Sequence, residues 1–265
     1  MEVILEILVP IKQVVDVELN IRIKDGSIIE DGLNYVISNW DEIAIEAALQ
    51  IVEKVGGEVT LVSIGPDRVT EALRKGLAMG AHKAIHIKDS AFDGSDSFVY
   101  AKALANIAKK KSYNLIITGK QSQDTDAGLT SGMLAEFLGL PQVTNVVKLT
   151  EIAVEKLNLQ RGGDNGSEVI ELTLPGVITA NDSLNEPRLA SMKGIMQARK
   201  KPIEEMNLAA VGLAVNECGK QGAPTTVVSF MEPEARKAGR KFAGKEEETT
   251  KQVFDLLVNE VKMFS

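Results

Sequence analysis

The sequence is poor in the residues that most often carry covalent or metal chemistry. Among 265 residues it has one cysteine, two histidines and one tryptophan. A single cysteine, Cys218, excludes an internal disulfide and any cysteine-rich metal site, and it reads as a bystander rather than a nucleophile. His82 and His86 flank a short apolar patch that reads as a strand over residues 84–87, so both are expected at a surface or a strand end. HExxH is absent, and no metal site is expected. Neither GxGxxG nor GxxxxGK[ST] occurs, which removes the common phosphate-loop signatures. No apolar run approaches the length of a membrane span. Residues 1–11 lack the basic start and cleavage region of a signal peptide, so a cytoplasmic protein without membrane insertion is expected. The net charge of −7 argues against general nucleic-acid binding.

What is present points to an α/β unit. Apolar residues make up 44% of the chain, enough for a sizeable core. Residues 3–11 form a near-continuous apolar run, as in a central parallel strand covered on both faces. Similar runs at 58–64, 84–87 and 115–118 alternate with helical patterns. The first of these helices carries Ile43, Ala44, Ala47, Ala48, Ile51 and Val52 at helical spacing, with Asn39 or Asp41 as candidate caps. Another starts at Ser95 or Asp96. Residues 21–29 suggest a short hairpin. Alternating strands and helices call for right-handed crossovers and a parallel sheet. After Pro141 the apolar residues alternate over 143–149, 153–159 and 168–174, an antiparallel excursion closed by the run 177–179. Residues 181–201 carry few apolar side chains at regular spacing. An amphipathic helix near 246–262 is expected to bury Val253, Phe254, Leu257 and Val261. The expected division is an α/β region, 1–202, and a C-terminal arm, 203–265.

Ligands of such sheets bind beyond the carboxyl ends of the strands. Four connections meet there: the exit after Val9-Pro10, residues 38–41, Ile64-Gly65-Pro66, and residues 119–130. The last runs from a strand ending at Thr118-Gly119 to a helix beginning near Thr130. Its first N–H groups lack intrahelical partners, and its dipole favours an anion. Ala127, Gly128, Ser131 and Gly132 are small enough for a phosphate to approach the backbone. Two readings stand: a nucleotide or phosphate site, or a polar connection with Thr130 as an N-cap. Trp40 likewise suits either core packing or stacking on a base.

Several stretches together resemble the beta subunit of electron transfer flavoprotein over nearly the whole chain. They are Leu174-Pro-Gly-Val-Ile-Thr179, Leu184-Asn-Glu-Pro-Arg188, Ala190-Ser-Met-Lys-Gly-Ile-Met196 and Arg199-Lys-Lys-Pro202. In the first half, Asn39 with Ile43-Ala-Ile-Glu-Ala47, Ser63-Ile-Gly-Pro66, Ala78-Met-Gly-Ala81, and Gly119-Lys-Gln121 with Asp124 and Thr130 agree. The resemblance implies a Rossmann-like parallel sheet flanked by helices, similar to the adenine nucleotide alpha hydrolases, with the antiparallel excursion and an extended C-terminal arm docking on the alpha subunit. It implies an electron carrier subunit without catalytic residues of its own, in a heterodimer whose alpha subunit holds the redox FAD, shared at the interface.

The beta subunit of this family binds AMP structurally. The contacts implied here are Pro10, Ser38, Asn39, Trp40, Asp41 and Ile64, and the loop Gly119, Lys120, Gln121, Ser122, Gln123, Asp124, Thr125, Asp126, Ala127, Gly128, Leu129 and Thr130. Residues 186–200 would be the recognition segment for flavin dehydrogenases such as acyl-CoA or amine dehydrogenases, with Arg188, Lys193, Ile195 and Met196 around Met192. Met192 stands where the family has an inserting leucine, and an unbranched, adaptable side chain can serve as such an anchor. From the residues alone it also reads as a core methionine. The chain departs from relatives at Thr125, Gly128 and Leu129, where some carry acidic and amide side chains, and at Gly162, where an acidic residue often follows the arginine. A bifurcating relative would bind a second FAD that reacts with NADH. Such relatives carry Val-Pro-Asp-Thr after the first strand and Gly-Pro inside the loop's helix, where this chain has Val14-Val-Asp-Val17 and Gly132-Met133. A stand-alone nucleotide-binding module of the stress-protein type would share the sheet but leave residues 185–188 and the tail unexplained.

Overall fold

The computed structural model describes residues 5–18, 21–234 and 238–263. The first apolar run is strand β1 (Leu5–Pro10); Val3 and Ile4 of that run lie outside the described residues. Short strands β2 (Gln13–Val15), β3 (Ile23–Lys24), β4 (Ser27–Ile28) and β5 (Tyr35–Ile37) follow. β3 and β4 form the expected hairpin, and β2 pairs antiparallel with β5. Then come α1 (Asn39–Val55), β6 (Gly57–Ile64), α2 (Val69–Met79), β7 (Lys83–Ile87), α3 (Ser97–Lys110), β8 (Leu115–Gly119) and α4 (Thr130–Leu138). The antiparallel excursion is β9 (Gln142–Ile152), β10 (Lys156–Gly163) and β11 (Gly166–Thr173), and β12 (Gly176–Ala180) returns to the centre. The remaining elements are α5 (Met192–Lys200), β13 (Glu204–Met206), the single turns α6 (Leu208–Val211) and α7 (Gly219–Gly222), and α8 (Glu246–Asn259).

Nine strands join in one sheet in the order β11-β10-β9-β12-β8-β1-β6-β7-β13. Pairing is parallel from β9 through β12 to β13 and antiparallel between β9, β10 and β11. The chain is therefore an α/β fold with a mixed, mainly parallel sheet. The pleat sorts β1 between two apolar layers. Leu5, Ile7 and Val9 pack with α1 and α2 on one face, and Leu8 with α3 and α4 on the other. Both faces of β1 are dry, which is why its sequence is nearly continuous rather than alternating.

Four local expectations fail for tertiary reasons. His86 is completely buried in β7, its pleat position turning it inward, and its Nε2–H donates to the Gly65 carbonyl at 2.9 Å. Ser38, not Asn39 or Asp41, occupies the cap position of α1, and its side chain makes no cap hydrogen bond. Residues 192–200, read as irregular, form α5. On α8, Val253 and Phe254 are exposed and Leu257 is half-buried, so the helix has no buried residue, and Val261, expected on it, lies past its end at Asn259 and is exposed. Asp96 does cap α3, accepting from the N–H groups of Phe98 and Val99. The chain divides into two compact units, one ending at Ser229 and one beginning at Phe230. The second contains one described helix, and one helix cannot bury its own apolar stripe.

Candidate functional site

The carboxyl edge of the sheet is organised by Asp41, in the first turn of α1. Its Oδ2 accepts the Lys12 N–H at 2.8 Å, and its Oδ1 accepts the Gly119 N–H at 3.1 Å. One buried carboxylate thus ties the exits of β1 and β8 to α1. Burial pushes its pKa up to about 7, against the two backbone donors and the Lys12 ammonium, which favour the ionised form. Gly119 must be glycine here. A Cβ would lie 2.6 Å from both Asp41 Oδ1 and the Trp40 Cβ. Ser63 Oγ–H donates to the Ile11 carbonyl at 2.7 Å, bringing the end of β6 into the same knot.

The loop after Gly119 folds on itself and on α1. Ser122 O accepts the Asp126 N–H at 2.8 Å, and the Asn39 N–H donates to Gln123 Oε1 at 3.2 Å. Asp126 and Gly128 both have positive φ, the tight backbone the loop's return requires. Two aspartates carry negative charge into this loop. Lys12 pairs with Asp124 at 2.7 Å, and Gln121 Nε2–H donates to Asp126 at 2.9 Å, so both carboxylates are held. Burial, with the charges of Asp93, Asp124 and Asp96, raises the pKa of Tyr100 on α3.

α4 starts beside this loop with Thr130 as its first residue. It has no side-chain cap and no acidic residue in its first turn, so its N–H groups remain available to an anion. Ser131 is buried, and its hydroxyl bonds to the Thr118 hydroxyl at the end of β8. The Lys120 ammonium lies 5.8 Å from the Trp40 ring centroid, and the indole is half-buried. Open helix donors, a cation and an aromatic face fit an anion joined to a flat ring. Pro10 ends β1 buried, and Ile64 ends β6 half-buried, so the residues assigned to the four connections are brought to one edge. Lys12 was missed by sequence reasoning; its place directly after the β1 exit is the signal that could have found it.

On the other side of this loop is a groove of about 820 Å3, between residues 120–128 and the β10–β11 hairpin. Arg161 lines it, donating weakly to Thr144 Oγ1 at 3.4 Å and pairing with Glu168 at 3.5 Å. Gly162 leaves room for Asn145, whose Nδ2 donates to the Gly162 carbonyl at 2.7 Å. A Cβ there would stand 3.0 Å from that nitrogen.

The recognition candidates lie elsewhere, on α5 and the segment leading into it. Met192 is 77% exposed and Met196 63%, with Leu189 at 95%. Ile195 and Lys193 are exposed too. Arg188 differs: its Nε–H donates to Glu46 at 2.7 Å and its guanidinium pairs with Glu53. Burial would raise the Glu46 pKa, but hydrogen bonds from Arg188 and Gln50 outweigh it and hold the carboxyl below its usual range. Among the described residues no group of His, Cys, Asp and Glu could hold a metal, and no helix is long and apolar enough to cross a membrane.

A family model described as the electron transfer flavoprotein domain matches residues 25–211. The chain is 39% identical to the electron transfer flavoprotein subunit beta of Thermoanaerobacterium thermosaccharolyticum, over 96% of this chain and 98% of the relative. It is 39% identical to the corresponding subunit of Mycobacterium tuberculosis, over 95% and 97%. For that of Bacillus subtilis the identity is 35%, over 98% and 100%. With a matching domain and full-length relatives, this chain belongs to the electron transfer flavoprotein beta subunit family.

Proposed function

We propose that the chain is the beta subunit of a heterodimeric electron carrier that binds AMP structurally and presents α5 to flavin dehydrogenases. The carrying observation is the carboxyl edge. Connections far apart in sequence are tied by Asp41 around the uncapped start of α4. The open N–H groups of Thr130 and Ser131 would take the phosphate, with Trp40 beside the base and Lys120 balancing charge. Side-chain contacts from Thr125, Gly128 and Leu129 would be few, leaving that work to the backbone. The FAD of the alpha subunit supplies the redox chemistry. This chain's part is to hold that subunit, and the groove beside Arg161 is where we place its FAD domain. Met192, Lys193, Ile195 and Met196 face the dehydrogenase, while Arg188 holds the segment to α1. Docking of this kind favours a small, short-lived interface.

The test is nucleotide extraction from the purified heterodimer. One AMP and one FAD per heterodimer is the expected result. Two FAD and no AMP would replace the reading with a bifurcating carrier that uses NADH, and FAD alone would remove the AMP site.

A further inference from the structure

α5 has nine residues, of which Ala198 alone is buried. So short a helix is marginal in water, and this one gains little from burial. Its order must come from polar contacts, and α2 supplies them. The Arg74 guanidinium donates to the Ala198 carbonyl at 2.5 Å and to the Lys201 carbonyl, reinforcing an end of α5 where Ala198 otherwise accepts only the Lys201 N–H at 3.3 Å. A cation at a helix carboxyl end is also favoured by the dipole. The exchange is reciprocal: Lys201 Nζ–H donates to the Ala81 carbonyl, just past the end of α2, at 2.6 Å. Between these contacts the helices touch at Gly194, where a Cβ would collide with the Ala78 carbonyl oxygen. At the front, Ser191 Oγ accepts the Gly194 N–H at 3.0 Å.

We propose that Arg74, with Lys201, is a positioning residue for docking: α2 clamps α5 so that Met192 and Met196 are presented on a preformed helix. The proposal rests on the reading of α5 as the docking surface. A preformed helix lowers the ordering cost of each encounter without touching the partner. Arg74 therefore acts on affinity for the dehydrogenase and not on nucleotide content.

The test uses the heterodimer and whichever acyl-CoA or amine dehydrogenase reduces the wild type fastest. Arg74→Met, Arg74→Lys and Met192→Ala are compared by steady-state transfer and by backbone hydrogen exchange. Arg74→Met should speed exchange over residues 195–201 and raise KM for the heterodimer roughly tenfold, with kcat, AMP and FAD unchanged. Arg74→Lys should restore part of both effects. Unchanged exchange in Arg74→Met overturns the clamp. Faster exchange with unchanged KM overturns its role in docking. If Met192→Ala raises KM and Arg74→Met does not, the clamp fails alone; if Met192→Ala leaves KM unchanged, the docking surface itself is wrong. Should Arg74→Met fail to assemble, Lys201→Met is read by the same two measurements.

Discussion

The carboxyl edge and the proposed docking helix, α5, solve opposite problems with the same kind of bond. At the edge, a buried carboxylate and paired loop charges hold backbone groups in place, and the exposed loop residues are small or polar apart from Leu129. At α5, charges hold the scaffold from behind, and the exposed residues include the long apolar Met192, Ile195 and Met196. The first arrangement leaves the N–H groups at the start of α4 without a side-chain cap. The second leaves methionines free to adapt on a fixed helix. In one region the fixed groups are the exposed backbone donors themselves; in the other they lie behind the exposed side chains.

The contrast breaks most severely at Gly119. Gly119→Val has no space beside Asp41 and Trp40 and should cost roughly 4 kcal/mol or more, seen as a collapsed melting temperature and lost AMP. A variant that melts like the wild type and keeps its nucleotide would show that the edge is not rigid. Next is the titration of Asp41. Its folded pKa of about 7 exceeds the ordinary 3.8, so the folded chain binds this proton more tightly than the unfolded one. Stability from this group is therefore greatest at the acid end and falls as pH rises from about 4 to about 7. Between about pH 5 and pH 8 the loss should be roughly 3 kcal/mol, and Asp41→Asn should flatten that slope. An equal slope in the variant would assign the effect to another group.

On the docking side, Met192→Ala removes an anchor without touching the clamp. It should weaken docking by about 2 kcal/mol, some thirtyfold, with AMP content unchanged, measured as transfer at limiting concentrations. The smallest effect is expected from Arg199→Gln with Lys200→Gln, both exposed at the end of α5. Loss of these charges should slow association and reduce its salt dependence while leaving the dissociation rate near wild type. A changed dissociation rate would move them from steering to the contact itself.

The parallel sheet was legible because its strands are dry on both faces and its helices repeat their apolar residues at the proper spacing. The meeting of four connections followed from strand direction alone. Less legible were features held by distant residues. Asp41 suits the first turn of α1 as a local acid, but its carboxylate turns to Lys12 and Gly119, 29 and 78 positions away. α5 could not be read because its apolar residues face outward and Arg74, which donates to its Ala198 carbonyl, is 124 positions away. His86 was misplaced because two nearby apolar neighbours do not say which pleat a polar residue takes. α8 was legible as a helix, but periodicity carries no information about what covers its apolar side.

The position of β12 also constrains how the protein can be made. It lies between β8 and β9 and pairs parallel with both, although it follows both in the chain. Until residues 176–180 have left the ribosome, β8 presents one unpaired flank of Leu-Ile-Ile, and the β9–β11 meander has no attachment to the rest of the sheet. A nascent chain in that state carries an open, apolar template for pairing with its neighbours. The interval between synthesis of Gly119 and of Ala180 is thus one in which that edge stays open.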